Sequence, residues 1–279
     1  MSSHLPRPVR ATRLVPAIRR ALVLVALAAA PTLARAQLTI DQLELQLDPG
    51  ALDRKIGVFS ITNEGTEAVQ VALHAEDWDR AESGENRFFP LGTQPGSCGE
   101  KLNVFPLSLR LEPGATGQVR VSAEGLSGTK DACWEIVFAE LARPPRPAGA
   151  QRAIVYVVRT GVKVYVEPSG LGRDGEIADV RVVPHVSTPS DRRAGRDLVV
   201  AFRNSGGMSL HTTGTVEFRR PDNSIASIVQ IADFPTLPGS TRNVTIAVPP
   251  LAPGKYTALA MFDFGGSEIA AGQIELQSP

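Results

Sequence analysis

Short runs of Val, Ile, Leu and Phe recur along this chain, cut about every 8 to 12 residues by Gly, Pro, Asn or Asp. Helical periodicity is nearly absent, so the chain is read as strands and turns. LTIDQLELQL alternates from Leu38 to Leu47 before Asp48-Pro49-Gly50. KIGVFSIT runs to the turn Asn63-Glu64-Gly65, and AVQVALHAEDW returns from Ala68 to Trp78. The strand signal fades across Asp79 to Gly99 and resumes in SLRL, GQVRVSA and CWEIVFAEL. Past the Gly-rich PSGLGRDG the pattern restarts, from ADVRVVPHV through YTALAMFDF to GQIELQ. The simplest architecture is all-β: two tandem β-sandwiches over 37–168 and 176–279, joined by a linker at 169–175.

The first 36 residues read as a cleavable secretory signal. An arginine-rich, acid-free leader precedes the apolar run ALVLVALAAA, and Ala34 and Ala36 supply small residues at a cleavage site. The apolar run is about half the ~20 residues a membrane span needs, and an uncleaved anchor is the alternative. Cleavage removes six arginines and no acid from the chain's 29 basic and 29 acidic residues, leaving 23 against 29. That mild acidity argues against a nucleic-acid partner. Two cysteines, Cys98 and Cys133, suit one disulfide in an exported chain, with two buried thiols as the alternative. No CxxC or adjacent histidine pair accompanies them, so no metal and no cofactor are expected.

No catalytic motif is found, and the chain is read as a non-enzyme. His74, His185 and His211 are scattered, and no G-x-S-x-G, phosphate loop or H-E-x-x-H occurs. Glu76, Asp77 and Asp79 around Trp78 form the densest acidic cluster. Paired carboxylates can hydrolyse glycosides, but a solvated strand end is the plainer reading.

The stretch AIVYVVRTGVKVYVEP, from Ala153, holds no Asn or Asp and one Gly. As a strand to Val166 it would run 14 residues, beyond the usual 3 to 10 or so. Four stretches, in this order, resemble the PapD-like periplasmic pilus-assembly chaperones: LRLEPGATGQVRV (Leu109 to Val121), CWEIVFAELARPP (Cys133 to Pro145), VKVYVEP (Val162 to Pro168) and MFDFGG (Met261 to Gly266). The resemblance implies two immunoglobulin-like domains in the periplasm. It also implies donor-strand complementation, in which an exposed edge strand completes the open sandwich of a pilin-like or fimbrial subunit. The subunit-binding residues it implies are Ile154, Tyr156 and Val158, with Lys163 taking the subunit's terminal carboxylate. Pilin-like subunits and an outer-membrane usher are the implied partners, and the open edge also offers a route to self-association.

Two positions depart from the family. Where it pairs the lysine with an arginine, this chain has Glu44, which either repels a carboxylate or occupies Lys163 itself. Where it has a linker arginine, this chain has Glu167, with Glu112 and Asp263 at the matching acidic positions and Arg110 as a candidate counter-charge. Two readings follow: a strand-donating chaperone, or a PapD-like cell-envelope protein that anchors no carboxylate. If AIVYVV is instead a buried central strand, the first reading fails.

Overall fold

The structure, a computed structural model, describes residues 38–128, 130–142 and 158–279. The leader expected at 1–36, with Ile154 and Tyr156, lies outside them. Among the described residues no helix is long and apolar enough to cross a membrane. The fold is all-β and built from two sandwiches, as the strand pattern implies.

The first sandwich holds β1 (Leu38–Ile40), β2 (Glu44–Leu47), β3 (Ile56–Asn63), β4 (Val69–Arg80) and β5 (Asn86–Phe89), followed by β6 (Asn103–Phe105), β7 (Ser108–Leu111), β8 (Thr116–Ser122), β9 (Cys133–Leu141) and β10 (Arg159–Val166). One sheet runs β1-β3-β8-β6; the other runs β2-β10-β9-β4-β5, with β7 also on β4. The second sandwich comprises β11 (Gly175–Pro184), β12 (Arg196–Asn204), β13 (Leu210–Arg219), β14 (Ile225–Thr236), β15 (Thr241–Ala247), β16 (Gly254–Asp263) and β17 (Ala270–Ser278). Its sheets are β11-β12-β15 and β14-β13-β16-β17. Each sandwich has its own buried apolar cluster, one drawn from residues 45–166 and one from 198–276.

Two expectations need correction. The strand read over Leu38–Leu47 is two strands in different sheets: β1 pairs antiparallel with β3, and β2 pairs parallel with β10. The apolar alternation changes phase between Ile40 and Leu43, so one straight strand could not bury both halves. Asp41 fixes the crossing by accepting the Ser60 N–H at 2.8 Å. The second correction is β5, inside the polar segment where strand signal was lost. It is held to β4 by Arg87, which gives Asp79 two hydrogen bonds at 2.6 and 2.7 Å directly across the ladder.

One hydrogen-bonding device recurs in both sandwiches. Asn63, fully buried at the end of β3, donates through Nδ2 to the carbonyls of Glu67 (2.8 Å) and Leu111 (3.1 Å), and its Oδ1 accepts Gly65 N–H (2.9 Å). Asn204, fully buried at the end of β12, donates to Met208 (2.8 Å) and Thr236 (3.3 Å) and accepts Gly206 N–H (3.0 Å). The backbone of each asparagine also meets a Pro-Gly turn: Gly114 N–H reaches Asn63 O at 2.8 Å, and Gly239 N–H reaches Asn204 O at 3.0 Å. Each clasp joins strand ends in the two facing sheets, satisfying carbonyls that burial would otherwise leave unpaired.

The Cys98–Cys133 disulfide is formed, with Cα atoms 5.0 Å apart. It pins a loop wrapped around Asp77, whose buried carboxylate accepts Thr93 N–H (2.7 Å), Gln94 N–H (2.8 Å) and Ser97 Oγ–H (2.5 Å). Asp77 is therefore a structural ligand for that loop, not part of a solvated strand end. Close to it lies Glu135, on the core face of β9 with Cys133 and Val137, fully buried and with neither carboxylate oxygen hydrogen-bonded among the described residues. Burial, and then the Asp77 charge, push the Glu135 carboxyl up to about 8.

Asn63→Ala and Asn204→Ala should each cost about 1–3 kcal/mol, because each strands one buried and one part-buried carbonyl. Matched urea unfolding midpoints would test this; a loss at one site only would show that the clasps are not equivalent. For Glu135 the native state holds the proton that the unfolded chain releases, so stability falls as pH rises from about 4.5 to about 8. Glu135→Gln should flatten that slope and raise stability at pH 8 by about 1–3 kcal/mol, read from unfolding curves at several pH values. Parallel pH profiles for the two proteins would contradict it.

Candidate functional site

The site grows from the alternation of β10. Val162, Val164 and Val166 point into the first core and are fully buried or nearly so. Each contributes on the order of 1.5–3 kcal/mol of burial. The same row, continued backwards, passes half-buried Thr160 and emerges at Val158, which is 76% exposed. At Lys163–Val166 the strand is flanked by β2 and β9; at Arg159–Val162 only β9 pairs with it among the described residues. The edge and central-strand readings concern Ala153–Val158, of which only Val158 lies among the described residues; within β10 the two halves differ in how many strands flank them. Lys163 N–H donates to Leu43 O at 2.8 Å on the β2 side. By strand alternation the backbone groups of Arg159 and Gly161 face that same side, beyond where β2 begins.

The other row of β10 is Arg159, Gly161, Lys163 and Tyr165. A Cβ at Gly161 would lie 2.4 Å from Ile136 Cδ1 and 2.9 Å from Phe138, so glycine alone lets these side chains close over the strand. Arg159 lies 3.9 Å above the Phe138 ring and pairs with Glu76 at 2.6 Å. Tyr165 is buried edge-on to Trp78, with ring centroids 5.9 Å apart, in a cluster that includes Ile136, Phe138 and Leu237 of the second sandwich. Burial raises the Tyr165 phenol well above its usual value, with the nearby Glu44 charge adding to it.

Lys163 stands at the seam between the sandwiches. Its Nζ is 3.1 Å from Glu44 Oε1 and 5.2 Å from the centroid of Trp78, with the Lys163 and Glu44 side chains 19% and 34% exposed. Glu44 Oε2 lies 3.6 Å from His211 Nε2, and His211 Nδ1 is 2.8 Å from Asp233 Oδ2. The chain Lys163–Glu44–His211–Asp233 therefore crosses from β2 and β10 to β13 and β14. Of Glu44's two expected behaviours, the structure has it occupy the lysine.

The acidic interdomain group implied by the resemblance does not assemble. Glu112 pairs with Arg110 at 3.2 Å on the surface, and Asp263 accepts Gly265 N–H at 2.9 Å. Glu167, largely buried, accepts Ser209 N–H at 2.7 Å and Ser209 Oγ–H at 2.6 Å. Two short hydrogen bonds from the second sandwich do the work of a counter-ion there. Ser169 adds a bond to Asp48, whose carboxyl that contact draws below its usual range. His211, Asp233 and Ser209 escape sequence reasoning because they meet β2 and β10 only through the packing of two sandwiches.

No family profile matches the sequence, and no curated protein matches it. Solved structures similar to it include the class 5 fimbriae chaperone CfaA, at 12% identity and TM-score 0.48, covering 87% of this chain and 99% of that one. Another is the CsuC–CsuE chaperone–tip adhesion subunit pre-assembly complex of Acinetobacter baumannii, at 10% identity and TM-score 0.42, covering 76% and 91%. A third is the E. coli chaperone DraB, at 15% identity and TM-score 0.39, covering 87% and 96%.

The half-buried Lys163–Glu44 pair should show a coupling of about 1 kcal/mol in a double-mutant cycle of Lys163→Met and Glu44→Gln, weakening in high salt. A coupling of zero would mean that the pair is incidental and the lysine free for other partners.

Proposed function

We propose that this protein is a periplasmic chaperone for pilin-like or fimbrial subunits, lending them the open half of β10 and the residues before it. The observation that carries this reading is the row leaving its own core at Val158 along an edge that β2 leaves uncovered. An apolar row that continues past its own sandwich can fill the groove of another. The backbone groups at Arg159 and Gly161 can pair with that sandwich's strand. Continued at a period of two, the row takes in Tyr156 and Ile154, which with Val158 would be the plugging residues. An exposed apolar edge is otherwise an aggregation hazard, and a use for it accounts for its retention. An outer-membrane usher is the further partner that this reading brings.

Glu44 already holds Lys163. That pair favours a second reading, a PapD-like cell-envelope interaction protein that uses the edge and anchors no carboxylate. Subunits with free and amidated C-termini separate the two: a preference for the free carboxylate supports the anchor, and equal binding supports the second reading.

Tyr156→Asp and Val158→Asp should each reduce capture of a strand-deficient subunit at least ten-fold or so, since each puts a charge into an apolar groove. Their melting temperatures should stay within about 2 °C of wild type, as surface substitutions do. Undiminished capture would end the strand-donor reading, and a large fall in melting temperature would show that the row is core.

A further inference from the structure

A second polar feature of the seam is independent of β10's open edge. The turn of the β4–β5 hairpin docks on β15: Asn243 donates from its backbone to Glu82 O and from Nδ2 to Glu82 Oε2, both at 2.8 Å. This docking brings two arginines to Gly84. Arg80 Nη1 donates to Gly84 O at 3.0 Å, and the Arg242 guanidinium lies against the Gly84 Cα, within 1.5 Å of where a Cβ would stand. Gly84 also has φ of +92°, so both its conformation and its neighbour require glycine.

Among the described residues neither guanidinium is paired with a carboxylate. Of the acids on and beside the hairpin, Asp79 pairs with Arg87, Asp77 holds the 93–97 loop, Glu82 bonds Asn243, and exposed Glu85 forms no ion pair with either arginine among the described residues. Residues 1–37, 129 and 143–157 contain no Asp or Glu, so they cannot supply a side-chain counter-charge. Buried Arg80 Nε and Nη2, Arg242 Nη1, and Nε1 of Trp78, over whose ring Arg80 lies at 5.5 Å, meet no acceptor in hydrogen-bond geometry among the described residues, and the Tyr165 phenol is a polar neighbour of Arg80. Burial, and then the Arg80 charge, lower the Arg242 pKa. Two like charges with unused donors form an arrangement that burial penalises unless an anion completes it.

We propose that the seam at Gly84 is an anion site, in which Arg80 and Arg242 together bind a dianionic tetrahedral oxyanion of the phosphate or sulfate class. Guanidinium forks match such oxygens in geometry, and two of them match the charge. Bound there, the ion would bridge β4 of the first sandwich to β15 of the second and tighten their junction.

The test is thermal unfolding of the leader-free chain, titrated with inorganic phosphate and, separately, with glycerol 3-phosphate, at constant ionic strength set with sodium chloride. A saturable rise of about 2–5 °C is expected with phosphate, lost in Arg242→Gln and kept in Arg220→Gln, an exposed arginine outside the seam. Binding of the monoester as well would place the ligand among phosphate esters; phosphate alone would make it the free ion. No saturable rise, or an equal rise in Arg242→Gln, would overturn the site. Arg80→Gln serves as the second variant, with isothermal calorimetry as readout if its folding is impaired.

Discussion

Much of the molecule depends on the period of two in β10. Odd residues build the seam through Lys163 and Tyr165; even residues build the first core through Val162, Val164 and Val166. A register slip of one residue would drive an ammonium into the valine core and turn the valines outward. Parallel pairing with β2 on one side and antiparallel pairing with β9 on the other hold the register over Lys163–Val166. Toward Arg159 only β9 holds it among the described residues. The strand is thus rigid where it builds structure and half-partnered where another chain could use it.

The seam combines two kinds of contact. Leu237 inserts among Trp78, Ile136, Phe138 and Tyr165, which supplies non-directional burial. Direction comes from polar contacts at separate points: Glu167 with Ser209, Glu44 with His211, and Glu82 with Asn243. Contacts so far apart along the junction constrain rotation as well as separation. They also explain why the seam does without the arginine that the resemblance leads one to expect at Glu167. A carboxylate that accepts a backbone N–H and a hydroxyl is satisfied without a cation.

What was legible in the sequence was local. Runs such as DLVVAFRN and TRNVTIAV lie on β12 and β15 because alternation and flanking turn residues are short-range signals. The cysteine pairing needed only the count and the export context. Asn63 and Asn204 were readable as turn residues, but their role as clasps depends on carbonyls 48 and 32 residues away. The switch at Asp41 had a readable sign: the successive polar residues Asp41 and Gln42, which shift the apolar phase between Ile40 and Leu43. β5 had none: its Asn-Arg-Phe-Phe becomes a strand because Asp79 and Phe138 wait opposite Arg87 and Phe88. The meeting of Glu44 with His211 and Asp233 is a property of two packed sandwiches, and no window along the chain contains it.

Charge limits how another strand could pair with the open half of β10. A strand laid beside Arg159 and Gly161 would continue the line that β2 occupies from Glu44 onward. Its end would abut Leu43, which is exposed, and then the Glu44 carboxylate. Arg159 sits at the opposite end, fixed between Glu76 and the rings of Phe138 and Phe88. Within the described part of this edge, charged groups stand at both ends. Charge at an edge disfavours the extended, register-free pairing that leads to aggregation. A partner must stop before Glu44 and tolerate a guanidinium at Arg159. On the proposed reading, its affinity would come chiefly from the pockets it offers to Val158 and the residues before it. Selectivity in such an arrangement belongs to the plugging side chains, and the charged ends define how far the added strand can run.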